Sequence, residues 1–112
     1  MSKGWHILRD GESVTLCRQL PPRLEFGVQT VLPKADPVRL AHQIRQDMWR
    51  ALQNVRGYVP VIRLDPVPDG WAVTAGGGAS RPLAAPVMDR ARAVLNDPKN
   101  RARWVRYAGG AS

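Results

Sequence analysis

The 112-residue chain predicts an α+β fold: a mainly antiparallel sheet of about five strands with helices packed on one face, in the order β-β-β-α-β-β-α-α. Three observations carry this prediction. A two-residue turn signal, Asp10-Gly11, separates two short runs suited to strands. Helical periodicity fills the stretch from Asp36 to Arg56. Two Asp-Pro pairs, Asp36-Pro37 and Asp97-Pro98, put an N-cap directly before a first-turn proline.

The elements follow in order. Trp5–Arg9 and Glu12–Cys17 flank Asp10-Gly11 as the first hairpin, with a type I′ turn that needs positive φ. Pro21-Pro22 then breaks the chain. Arg23–Val31 alternates, with Leu24, Phe26, Val28 and Thr30 on one side and Glu25, Gly27 and Gln29 on the other, as a half-buried strand does. Within the helix from Asp36 to Arg56, Ala41, Ile44, Met48, Ala51, Leu52 and Val55 share one apolar arc at about 100° per residue. Gly57 is suited to the left-handed cap that ends it.

Tyr58–Leu64 is dense in β-branched and aromatic residues, a fourth strand. Pro60 inside it marks an edge strand, or the point after which pairing starts. Pro66–Gly70 is a turn and Trp71–Ala75 a fifth strand, followed by Gly76–Gly78 as a flexible loop. Pro86–Leu95 is a second helix buried through Val87, Ala91, Val94 and Leu95, and Pro98–Tyr107 a third. Residues 1–108 form one domain on this reading, and residues 109–112 a frayed tail.

Composition bounds the function. An apolar share of 44% supports a folded core, and the apolar runs are too short for a membrane span. Arg9, Asp10 and Glu12 interrupt any secretory h-region, so a cytoplasmic protein is expected. The single cysteine, Cys17, cannot form an internal disulfide. Net charge is +8, and residues 81–112 hold seven bases against two acids, so most of the excess lies in the last third. Such a balance favours a polyanion such as nucleic acid, an anionic membrane or an acidic protein surface, and an acidic protein or nucleic acid rather than a membrane is the partner expected. Fourteen of the seventeen bases are arginine, which suits bidentate recognition of carboxylate or phosphate. GC-rich coding sequence produces the same bias toward Arg, Ala, Gly and Pro.

No catalytic constellation is visible, and a non-enzymatic protein without cofactor or metal is expected. His6 and His42 lie far apart in sequence, with no H-x-x-x-H or C-x-x-C pair. Cys17 is expected as a packing residue rather than a nucleophile. Asp10, Asp36, Asp69 and Asp97 have turn or cap roles, while Asp47 and Asp89 have helical partners in Arg50 and Arg92. The run Thr74–Ser80 offers glycines for an anion but lacks the phosphate-loop lysine; Ser80 and Arg81 are its candidate groups.

Two surfaces remain. On the long helix Arg39, Arg45, Arg50 and Arg56 form a cationic face with Trp49 on its flank. Trp49 is either a rim residue folded over the core edge or an aromatic anchor between Arg45 and Arg56. On the last helix Lys99, Arg103 and Arg106 form a second basic stripe with Tyr107 at its margin, while Trp104 packs inward. Tryptophan and arginine dominate interface hot spots, so the leading expectation is a small adaptor that docks on an acidic protein surface. Nucleic-acid binding through both basic stripes is the alternative. Self-association through an exposed edge, Arg23–Val31 or Tyr58–Leu64, is compatible with either.

Overall fold

A computed structural model describes residues 4–110 and holds β1 (His6–Asp10), β2 (Ser13–Cys17), β3 (Phe26–Pro33), α1 (Pro37–Leu52), β4 (Val59–Val67), β5 (Gly70–Gly78), α2 (Ala85–Asn96) and α3 (Pro98–Tyr107). The expected order is thus observed. The five strands form one antiparallel sheet ordered β1-β2-β4-β5-β3. Register mates share a face, and Leu16, Ile62, Ala75 and Val28 form one buried row across the sheet. Beside it run Val14, Leu64 and Val73, also buried. Onto this face α1 lays Leu40, Ala41, Ile44, Met48 and Leu52, joined by Ala91 and Leu95 of α2 and by Trp104 and Val105 of α3. Each leucine, isoleucine, valine or methionine among them contributes roughly 1.5–3 kcal/mol on burial.

Several local expectations are corrected. The first hairpin pairs Asp10 with Ser13, so its loop is Gly11-Glu12 rather than Asp10-Gly11. Gly11 has φ +60° and no non-glycine residue among those described has positive φ, the pattern of a II′ turn rather than I′. Helix α1 stops at Leu52, not Arg56; the chain leaves through tight turns, Val55 N–H donating to Leu52 O and Tyr58 N–H to Val55 O. Gly57, at φ +72°, serves that exit, and a Cβ there would strike Ser80. Strand β3 starts at Phe26 rather than Arg23, and Leu24, expected to face inward, is exposed.

The glycine run 76–78 is not a loop but the buried end of β5. The β2–β3 connection must travel from the second strand position to the far edge, and it crosses here. Glu25 N–H donates to Gly77 O at 2.9 Å, and Cβ atoms at Gly76 and Gly77 would collide with Phe26 O and Val59 O. Glycine is what lets the backbones approach. Strand β4 is interior, not an edge. Its ladder with β2 spans only Val61 to Leu64, so Pro60 lies just outside that pairing and its missing N–H leaves no gap there.

Both Asp-Pro signatures cap helices as expected: the Asp36 carboxylate accepts from Arg39 N–H at 2.9 Å, and that of Asp97 from Lys99 N–H at 2.8 Å. Gly109 and Gly110, expected to begin a frayed tail, instead close α3 in a Schellman motif. Gly110 N–H donates to Val105 O and Gly109 N–H to Arg106 O, with Gly109 at φ +76°. Asp36 N–H donates to Ala108 O, which ties this end to the start of α1. Residues 111–112 of the expected tail lie outside the described residues.

The one buried charged residue among those described is Asp47 on α1. One carboxylate oxygen accepts from Trp104 Nε1 at 2.6 Å and from Arg103 Nη2 at 2.7 Å; the other lies 3.6 Å from Arg50. Asp47→Ala leaves the buried Trp104 indole N–H without an acceptor and takes from Arg103 its carboxylate, and is expected to cost about 3 kcal/mol. Asp47→Asn, which keeps one acceptor for Trp104, should cost distinctly less. Urea unfolding of the two variants checks both the loss and its order.

Candidate functional site

The expected cationic face of α1 does not stay together. Arg50 points outward and pairs with Asp47, on the side of α1 that meets α3. Arg39 and Arg56 are exposed, one in the first turn of α1 and the other beyond its far end. Arg45 and Trp49, one turn apart, do meet, on the opposite margin of the apolar arc from Asp47. The α3 stripe is divided as well. Arg103 is drawn onto Asp47 and Asn100, while Lys99 and Arg106 stay exposed. Arg101, on the packed side of α3, donates to Val31 O at 2.6 Å and to Thr30 Oγ1 at 2.5 Å.

Arg45 and Trp49 line an open cleft of about 460 Å³ together with Trp5, Arg18, Gln19, Tyr58, Val59 and Pro60. Backbone register explains the assembly. The β1–β2 ladder ends at His6 and Cys17, so Trp5 and Arg18 are the next opposed residues, directed to the face that carries Ile7 and Leu16. Cys17 is in turn the last partner of β4, at Val61, so Arg18 comes beside Pro60. Helix α1 crosses above this frayed corner. The cleft is therefore a place where three ladders and a helix run out together.

Its chemistry is cationic and aromatic. The guanidiniums of Arg45 and Arg18 both lie over the Trp5 ring, 4.7 and 5.5 Å from its centroid. Trp49, 43% exposed, stacks on Tyr58 with centroids 6.1 Å apart and planes 12° from parallel. Tyr58 is buried, its hydroxyl donating to Gly76 O at 3.3 Å, and burial pushes its phenol up so that it stays protonated. Trp49 thus has a fixed floor beneath it.

Arg18 and Arg45 form no ion pair among the described residues, and no carboxylate lines the cleft. Arg45 Nε is covered by protein and has no acceptor among the described residues. Its Nη2 lies 3.3 Å from His42 Nδ1. Since a guanidinium only donates, that ring nitrogen accepts and the His42 proton sits on Nε2. Burial, then the Arg18 charge, lowers the pKa of Arg45. Arg45 is not neutralised by this, because arginine remains charged throughout the physiological range.

Sequence reasoning found Arg45 and Trp49 but missed Trp5, Arg18 and Tyr58. Cys17 is buried, as a packing residue is expected to be. Ser80 and Arg81 are exposed beyond β5, and the glycines before them serve strand packing. Among the described residues no group of three His, Cys, Asp or Glu side chains is placed to hold a metal ion. No helix among the described residues is long and apolar enough to cross a membrane. No family model matches the chain, and neither does any curated protein or solved structure.

Burial, followed by the charge of Arg45, lowers the His42 pKa below its ordinary 6.5. Unfolded His42 then takes up its proton at a higher pH than folded His42. Its contribution to stability is full above about pH 6.5 and is lost as pH falls through the lowered native value. His42→Asn, which keeps an acceptor toward Arg45, should remove this component. The expected result is a smaller loss of denaturation midpoint between pH 8 and pH 5 in the variant than in the parent.

Proposed function

We propose that the protein is a small non-enzymatic docking module that seats an acidic segment of a partner protein in the Trp5–Arg18–Arg45–Trp49 cleft. The observation that carries this is the convergence of two guanidiniums over one indole with no acid among the residues that line the cleft. Two like charges held together repel each other, and a carboxylate between them relieves that repulsion. Arginine adds bidentate geometry, and the exposed Trp49 adds an apolar anchor beside the charge. The groups that line the cleft bind rather than react: its one hydroxyl, on Tyr58, is turned onto a backbone carbonyl.

Nucleic acid asks for cations along a track that follows a phosphate backbone. That reading rests on both basic stripes, and the middle member of the α3 one, Arg103, is committed to Asp47. The module would work in the cytoplasm, a setting that suits its one unpaired thiol. Self-association would use the outer edge of β3, since β4 is interior; Arg101 already occupies the Val31 carbonyl there.

A titration of the purified protein against labelled decaglutamate and labelled oligo-dT at two salt concentrations tests the reading. Decaglutamate is expected to bind, and Arg45→Glu to weaken it by about tenfold or more. The paired change Lys99→Glu and Arg106→Glu should leave that binding within about twofold. Preferential binding of the oligonucleotide, lost on reversing Lys99 and Arg106, would overturn it in favour of nucleic acid.

A further inference from the structure

The cleft joins two unlike surfaces. Part of its lining is the pair of guanidiniums over Trp5; another part is the Trp49 ring on its Tyr58 floor. A ligand that used the first alone would leave a partly exposed indole in water. One that used the second alone would leave two cations unanswered. Resting on the docking function above, we propose that the cleft recognises an aromatic residue flanked by aspartate or glutamate in a partner protein, the carboxylate going to Arg18 and Arg45 and the ring to Trp49.

Size, charge and rigidity support this occupant. A cleft of about 460 Å³ falls in the range that holds one large side chain and its neighbours, and is too small to follow a long chain. Beyond the arginine pair, its lining is mainly Trp, Tyr, Val and Pro, which suits a ring better than a run of polar groups. The anchors are preorganised, since Trp49 is braced by Tyr58 and Arg45 by both Trp5 and His42. Little ordering is then left for binding to impose. The bases outside the cleft do not extend it into a track: Arg50 answers Asp47, and Arg39 and Arg56 stand at opposite ends of α1.

The test is a double-mutant cycle read by fluorescence anisotropy with the full chain. The probes are a labelled Glu-Glu-Phe-Glu-Glu peptide, its Phe-to-Ala version and its all-Gln version. Replacing Phe by Ala, or Glu by Gln, should each weaken binding about tenfold. Trp49→Ala should erase the Phe/Ala difference but keep the Glu/Gln difference. Arg18→Ala should shrink the Glu/Gln difference and keep the other. Arg18 is exposed and Trp49 lies on the surface, so both variants are expected to fold, as circular dichroism would check. Equal binding of the Phe and Ala peptides, both weakened by Arg45→Glu, would overturn the aromatic specificity while leaving the docking reading intact. No binding of any peptide, alongside binding of oligo-dT, would overturn both.

Discussion

The interaction on which the arrangement depends is the buried carboxylate of Asp47. It sits on the margin of α1 that meets α3 and gathers Trp104 and Arg103 onto one oxygen. A buried ion of this kind is tolerated only when its partners are complete, so it constrains geometry more than it adds stability. Trp104 can fill the core fully only because Asp47 accepts its N–H. The contact also sets the rotation of α1 about its own axis. With Asp47 directed to α3, Arg45 and Trp49 must emerge on the opposite margin, over the end of the β1–β2 hairpin. The Trp5–Arg45–Trp49 cleft is in that sense the far side of the Asp47 contact.

Much of the fold was legible because its signals are local. Asp36-Pro37 and Asp97-Pro98 state a cap and a first turn within two residues, and both proved accurate. The apolar arc of α1 was readable because its period is repeated across four turns. What was not legible depended on distant partners. Gly76–Gly78 has the composition of a loop, and only the crossing of the β2–β3 connection explains why it is a strand. Pro60 allowed two interpretations, and the ladder chose the second because β2 pairs no further than Val61.

The cleft shows the same division more sharply. Arg45 and Trp49 were visible as neighbours on one helix. Trp5 and Arg18 were hidden by a loop misplaced by a single residue. With Asp10-Gly11 as the turn, Trp5 would face Leu16; with Gly11-Glu12 it faces beyond Cys17 to Arg18. A one-residue error at a hairpin moves every cross-strand pair by two positions, which keeps the side-chain faces correct while exchanging the partners. The hairpin therefore looked right while its aromatic and its cation were paired wrongly. Tyr58 is hidden for another reason: its composition reads as strand, whereas it supports Trp49 from just outside β4.

The arginines show why a high net charge says little about binding until each cation is located. Arg103 is structural through Asp47, and Arg101 through the edge of β3, where it satisfies a carbonyl that would otherwise be open to another strand. Arg23, Arg63 and Arg92 answer carboxylates two or three residues away. Surface pairs of that kind are worth little energy, but they remove those charges from the count available to a partner. Arg18 and Arg45 differ because they are brought together by separate elements, face the same indole and meet no acid in the cleft. A chance excess of arginine would scatter over the surface. Two of them converging on one aromatic ring, beside a second braced aromatic, is a local arrangement that composition alone does not produce.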